Sequence, residues 1–301
     1  MIENKYLHKT HSFPSPAKLN LFLHIVARRE DGYHELETLF QFLDFGDTLT
    51  ITVTNQNKLN LLTPIVGVDN EDNLIIKAAR LLRTKILLDN PFAIIGADIQ
   101  VNKILPLGGG LGGGSSNAAT TLLALNKLWQ SHYPISTLAT LGLTLGADVP
   151  IFIHGFAAFA QGIGEKLTPV QPIENWYLVT KPDCSISTKN VFVAHDLTRD
   201  TKKISTELLS SEAFNSQLFG ELFHNDCQTH VIKNYPEVAK LLAWLLEYAP
   251  SRMTGTGACI FSSFSSLKQA QELQKMLPQG IYSFVAKGVN KSPLLGTIDI
   301  I

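Results

Sequence analysis

The sequence predicts a mixed α+β chain in two lobes, and three observations carry that expectation. Segments with the two-residue alternation of strands interleave with segments of helical three-to-four-residue spacing along the whole length. The chain has 301 residues, 45% of them apolar, which suffices for one large or two medium domains with a sizeable core. No internal repeat or low-complexity linker interrupts it, and the simplest division lies near residues 155–170.

Along the chain, "KLNLFLHIV" alternates Leu19, Leu21, Leu23 and Ile25 on one strand face, and "DTLTITVT" is a second strand rich in β-branched residues. Between them Asp31-Gly32 marks a turn. "NLIIKAARLLRTK" has helical spacing with Asp72 or Asn73 as cap, and "ADIQVNKILP" reads as a strand. "SSNAATTLLALNKLW" is a helix with Ser115 and Ser116 where N-caps belong, and "ISTLATLGLTLG" is another. "VPIFIHGFAAFAQG" reads as an apolar strand pair and "WYLVTKP" as a strand, whereas residues 185–234 are polar and give no clear elements. The rest alternates: helix "PEVAKLLAWLLEY", strand "ACIFSSF", helix "LKQAQELQKML" and strand "YSFVAKGV".

Formal net charge is -1, so the sequence argues for no nucleic-acid and no membrane partner, and any anion must be met locally. Cys184, Cys227 and Cys259 are widely spaced without a Cys-x-x-Cys pair, which suits reduced thiols rather than disulfides or zinc. The N-terminal stretch lacks an apolar signal region, and the longest apolar runs fall short of the roughly 18–20 residues of a membrane span. We expect a soluble, unexported, cytoplasmic protein.

The most informative stretch is "PLGGGLGGGSSNAA", with six glycines in seven consecutive positions directly before a helix. Each glycine costs about 0.5–1 kcal/mol on ordering relative to alanine in regular structure. Glycine supplies positive φ and close backbone approach, while the adjoining helix N-terminus supplies free N–H donors and partial positive charge. The combination is a phosphate cradle. Gly109 and Gly114 have the Walker spacing, but Ser115 stands where that loop needs lysine. Gly108, Gly110 and Gly113 match a dinucleotide fingerprint, yet no Asp or Glu occurs from Ile99 to Ala147 to hold a ribose. The acid-free span leaves a polyphosphate unopposed by this part of the chain, and a structural glycine loop stays open as the alternative.

Asp148 in "LGADVPIF", at a turn between a helix and an apolar strand, and Lys18 at an apolar strand start are each modest candidates alone. Taken together, "PSPAKLNLFL", "LPLGGGLGGGSSNAA", "LGADVPIF" and "MTGTGACIF" occur in the order found in the GHMP kinase superfamily, which the chain resembles from Pro14 to about Asn290. That resemblance implies a two-lobed fold with the active site in the cleft between lobes. It implies an N-terminal unit at residues 1–160, with the phosphate loop and catalytic pair, and a ferredoxin-like α+β C-terminal unit at residues 161–301.

It also implies ATP-dependent phosphorylation of a small-molecule alcohol, with Asp148 as general base and Lys18 as its electrostatic partner. Pro106, Leu107, Gly108, Gly109, Gly110, Leu111, Gly112, Gly113, Gly114, Ser115 and Ser116 would hold the ATP phosphates, and Asn73 and Lys103 would line the adenosine pocket. Asn73 as a helix cap and Lys103 as a strand-edge lysine stay open beside that role. Mg2+ is expected with ATP, held mainly by phosphates and water, with Ser115, Ser116, Asn117 and Asp148 as the nearby oxygens.

"GYH" resembles the branch of the superfamily whose substrate bears a cytidine diphosphate group, with the 2-hydroxyl of a methylerythritol as acceptor in the non-mevalonate route to isoprenoids. Tyr33 would stack the base, His34 would hydrogen-bond its edge, Phe192 would close the opposite face and Asn20 would touch the polyol hydroxyls. His24 reads as a structural histidine. A monomer or weak homodimer is expected. A nucleotide-binding module without catalysis is the competing class, and it would not need both Lys18 and Asp148.

Overall fold

The computed structural model describes residues 4–93, 95–209, 214 and 217–300. Its frame is one long antiparallel hairpin, β1 (Thr10–Arg28) and β2 (His34–Thr54), joined through the turn at Asp31-Gly32. Next come β3 (Leu59–Leu61), α1 (Leu74–Asp89), β4 (Gly96–Asn102), α2 (Gly113–Leu128), α3 (Ile135–Leu143), α4 (Val149–His154), β5 (Ala158–Gly162) and β6 (Lys166–Pro169). The second half holds β7 (Trp176–Lys181), α5 (Thr188–Val193), α6 (Thr206–Leu209), α7 (Asp226–Asn234) and α8 (Pro236–Leu246). It closes with β8 (Ser251–Met253), β9 (Ile260–Phe264), α9 (Leu267–Met276), β10 (Tyr282–Val289) and α10 (Pro293–Ile300).

β2 is the spine. One edge pairs with β1, while the other is shared by β5 at residues 36–40, β10 at 42–43 and β4 at 48–54. β10 turns from β2 to β7, so the sheet order β3-β4-β2-β10-β7-β9-β8 runs through both halves of the chain. The α2 helix lies against β1 and β2 as well as α1 and α4, and is buried from Ser116 to Leu125 because Ala118, Ala119 and Ala124 let neighbours come close.

The alternation expected along β1 is real but not continuous. The register with β2 breaks between Pro16 and Lys18, between Asn20 and Leu23, and between Ile25 and Ala27. An added residue in one strand flips the phase of every residue beyond it. Leu19 and Leu21 therefore enter a core with Tyr177, Phe223 and Phe261, whereas Leu23 and Ile25 enter another with Val231, Val238 and Met253.

Two expectations are corrected. The run "VPIFIH" is a helix rather than a strand, so Asp148 sits between two helices and not before a strand. A short apolar run carries no period of its own, and Pro150 fits the first turn of α4, where its missing N–H is not needed. The N-cap of α2 is Gly112 in the left-handed region at φ 72°, with Ser115 and Ser116 already inside the first turn. Asn73, one of two candidates, does cap α1, its Oδ1 accepting from Ile75 N at 3.0 Å.

The three cysteines are free, and burial pushes the thiols of Cys227 and Cys259 up to about 12, which leaves them unreactive.

Candidate active site

The phosphate-loop candidate runs from the end of β4 to the start of α2. Gly108, Gly110 and Gly112 take φ of 63°, 75° and 72°, a region that other residues rarely adopt. Gly110 also lies so close to the turn that follows β8 that a Cβ there would meet Thr254 O at 2.2 Å. Part of the glycine content therefore serves packing within the protein as well as approach of a ligand. The loop ends at α2, whose first N–H groups point out of the helix without intrahelical partners.

Lys18 and Asp148 meet at this loop. Lys18 Nζ is 3.3 Å from Asp148 Oδ2, with the lysine side chain 3% exposed and the aspartate 35%. The same ammonium donates to Asn20 Oδ1 at 2.5 Å and to Gly110 O at 3.0 Å, and lies 5.2 Å from the centre of the Phe40 ring. An ammonium has three protons. All three are directed, two by β1 and the loop and one by the carboxylate. Lys18 N donates to Leu111 O at 3.0 Å, which ties β1 to the loop directly.

These groups line a cavity of about 430 Å3 that also takes in Lys103, Pro106 to Ser115, Thr188, Phe192, Gly255 and Thr256. Of the residues that the sequence singled out, Lys18, Asn20, Lys103, Asp148, Phe192 and the stretch from Pro106 to Ser115 share this cavity. Ser116 does not. It is fully buried, its hydroxyl hydrogen-bonded with Ser15 at 2.9 Å and its N–H to Gly112 O at 2.8 Å. Asn117 likewise points inward, donating to Ser15 and to Asp47 Oδ2. Asn73 is not in the lining, although its neighbour Leu74 is; its buried Nδ2 has no partner among the described residues.

The acid-free span of sequence is not acid-free in space. Asp47 of β2 is buried beneath the loop, taking Lys103 Nζ at 2.5 Å, Asn117 Nδ2 at 3.0 Å and the N–H groups of Ile104 and Leu105 at 2.9 Å each. Four donors around one buried carboxylate fix both shoulders of the loop. Lys103 Nζ thereby lies at the start of α2, 2.9 Å from where a Cβ on Gly113 would stand.

Tyr33 and His34 do not line the cavity: Tyr33 is 60% exposed on the hairpin tip, and His34 is buried behind Phe192, which does line it. The His34 ring stacks on Phe192 at 5.2 Å and 29°, so these two rings face each other and a base would rest beside the pair rather than between them. Arg199, which nothing in the sequence singled out, donates from Nε to His34 Nε2 at 3.0 Å and from its other nitrogens to Phe192 O, Ala194 O and Leu197 O. Burial first, then the charges of Arg199 and Arg28, hold the His34 pKa below its ordinary value. The ring is neutral, and with Nε2 accepting, its proton is assigned to Nδ1.

His24 is buried too, its Nε2 taking the N–H of His224 at 3.4 Å while its Nδ1 has no partner among the described residues. Burial and the neighbouring His224 lower its pKa to about 4. Among the described residues no group of three or more His, Cys, Asp or Glu gathers to hold a metal, and no helix is long and apolar enough to cross a membrane.

Known proteins resemble the chain along most of its length. The description "GHMP kinases N terminal domain" fits residues 73–156, and "GHMP kinases C terminal" fits residues 205–282. A 4-diphosphocytidyl-2-C-methyl-D-erythritol kinase of Colwellia psychrerythraea (strain 34H) is 64% identical over 295 residues, covering 98% of this chain and 95% of its own. A crystal structure of a 4-(cytidine 5'-diphospho)-2C-methyl-D-erythritol kinase aligns with a TM-score of 0.78 at 30% identity, over 92% of this chain and 99% of that one. The mevalonate kinase of Methanococcus jannaschii shares the fold at a TM-score of 0.64 and 16% identity, over 95% and 100% of the two chains.

Proposed function

Because the chain belongs to the GHMP kinase family and is an ATP-dependent kinase, we propose that its acceptor is the 2-hydroxyl of 4-diphosphocytidyl-2-C-methyl-D-erythritol, in the non-mevalonate route to isoprenoid precursors. The observation that carries this reading is the Lys18–Asp148 contact of 3.3 Å at the glycine loop, inside a chain 64% identical to a kinase of that name.

The groups present divide the chemistry between them. Asp148 accepts the proton of the attacking hydroxyl as its oxygen bonds to the γ-phosphorus and the bond to the ADP oxygen breaks. Lys18, beside it, stabilises the negative charge that develops on the attacking oxygen. N–H groups of the loop and of the α2 N-terminus bind the phosphates of ATP and ADP. Asn73 has its Oδ1 committed to the helix cap and lies outside the cavity lining, so of the two residues expected at the adenosine it is Lys103 that the cavity presents. A magnesium ion would neutralise phosphate oxygens here. The cavity offers it the Asp148 carboxylate and the Ser115 hydroxyl, while Ser116 and Asn117 face away, in keeping with an ion held chiefly by phosphate and water.

On the acceptor side, the His34 Nδ1 proton suits a cytosine acceptor, Tyr33 offers an exposed face for stacking and Asn20 reaches toward the polyol. We further propose two units, with the expected boundary at 160/161 moved to after β6, since β5 spans residue 160 and pairs with β2. A monomer or weak homodimer in a cytoplasmic setting completes the reading, and the free thiols suit that setting.

The test is transfer of labelled γ-phosphate from ATP to the cytidine-diphosphate-linked alcohol by the purified enzyme. Preference for mevalonate or homoserine would overturn the substrate assignment.

A further inference from the structure

We propose that Thr38 is a positioning residue for phosphoryl transfer: it fixes the orientation of the Asn20 side-chain amide and thereby aims the Lys18 ammonium at Asp148. The inference rests on the reading of Lys18 and Asp148 as the catalytic pair.

Thr38 lies on β2, 1% exposed, at the floor of the cavity. Its hydroxyl donates to Phe22 O at 2.5 Å. That carbonyl is available because β1 breaks register between Asn20 and Leu23, which leaves Phe22 outside the paired positions of the ladder. A hydroxyl has one proton. Once given to Phe22, Thr38 Oγ1 can only accept from Asn20, and Asn20 Nδ2 stands 2.9 Å away to donate.

The amide is thus oriented by chemistry rather than by shape. With Nδ2 on Thr38, Oδ1 faces Lys18 Nζ at 2.5 Å. A flipped amide would place its NH2 against the ammonium, donor against donor, and the lysine would lose one of its three acceptors. Gly110 O and Asp148 Oδ2 would then hold the ammonium alone, against an NH2 group that pushes Nζ from its place. A second bond holds Asn20 in place without choosing between its two faces: its backbone N–H donates to Thr254 Oγ1 at 2.9 Å. Thr38 itself touches no reacting atom in this arrangement.

The experiment is a double-mutant cycle on the full chain with Thr38→Val, Asn20→Ala and their combination, plus Thr38→Ser, reading kcat, KM for ATP and thermal midpoint. Thr38→Val should lower kcat about tenfold, the worth of one hydrogen bond to an oriented group, with KM for ATP within about twofold. Thr38→Ser, which keeps the hydroxyl, should recover most of that loss. In the Asn20→Ala background Thr38→Val should change kcat by less than about twofold, because no amide remains to orient. Equal losses in both backgrounds, or a serine variant as impaired as valine, overturn the proposal. If Thr38→Val fails to fold, Thr38→Cys of similar volume, whose sulfur accepts only weakly, carries the same cycle. Asp148→Asn run alongside separates the premise: full activity there sinks the catalytic pair whatever the cycle gives.

Discussion

Asp148 Oδ2 approaches Lys18 Nζ to 3.3 Å from the loop between α3 and α4, while the lysine comes from the middle of β1, far earlier in the chain. The lysine is buried and the carboxylate opens to the cavity, so the exposed member of the pair is the one that can receive a proton. Asp148→Asn keeps the volume and removes the basic oxygen. We expect kcat to fall by about 10² to 10⁴, with ATP binding by calorimetry within about twofold of the parent. A variant with unchanged turnover would remove Asp148 from the role of base.

Two glycines of the same loop should respond in opposite ways. Gly110→Ala puts a Cβ 2.2 Å from Thr254 O at φ 75°, where backbone faces backbone and neither yields easily. The strained φ alone costs about 1–2 kcal/mol. Gly114→Ala lies in α2 with Leu74 Cδ1 as its nearest contact at 3.4 Å, and should gain about 0.5–1 kcal/mol. Chemical denaturation of both variants checks the contrast, and equal shifts would contradict it.

Arg199→Met removes both the donor that sets the His34 proton on Nδ1 and a charge that holds its pKa down. KM for the cytidine substrate should rise about tenfold while KM for ATP stays put. That KM should also become more sensitive to pH as His34 moves back toward its ordinary 6.5. A matched rise in both KM values would point to general damage instead.

His24 gives a stability prediction with a definite sign. With a folded-state pKa of about 4 against an ordinary 6.5, the unfolded chain takes up a proton in that window while the folded chain does not. Stability is full above pH 6.5, falls toward pH 4 and levels below it, a loss on the order of 3 kcal/mol. His224, whose pKa is raised mainly by its hydrogen bond to Asp226, contributes stability that is complete below pH 6.5 and is lost as the pH rises above it, so it leaves the slope between 6.5 and 4 to His24. His24→Leu should flatten the decline between pH 6.5 and 4, as measured by urea midpoints across that range. An unchanged slope would place the acid sensitivity elsewhere.

The strands, most helices and the cavity-lining loop were legible because each is written in local pattern. Glycines before an Ala-rich helix announce backbone that must bend and approach closely, and Lys18 announces itself as a charge on an apolar strand. Residues whose role depends on a distant partner left no such mark. Asp47 reads locally as the first residue of "DTLTITVT", yet it meets Asn117, 70 positions away. Arg199 finds His34 across 165 positions, from a polar stretch with no periodicity. Pro150 misled in the other direction, since the same dipeptide suits a strand edge and a first helical turn.

The breaks of register along β1 have a consequence for divergence. They cut the hairpin into blocks of independent phase, one seating Lys18 and Asn20 and the last leading to the turn before Tyr33 and His34. In an unbroken strand a one-residue deletion inverts every side chain beyond it. Here such a change can be absorbed at the nearest break. The tip is free to alter in length and sequence while the block that seats Lys18 and Asn20 keeps its alignment. If Tyr33 and His34 hold the acceptor as proposed, its identity can change without disturbing the seat of Lys18.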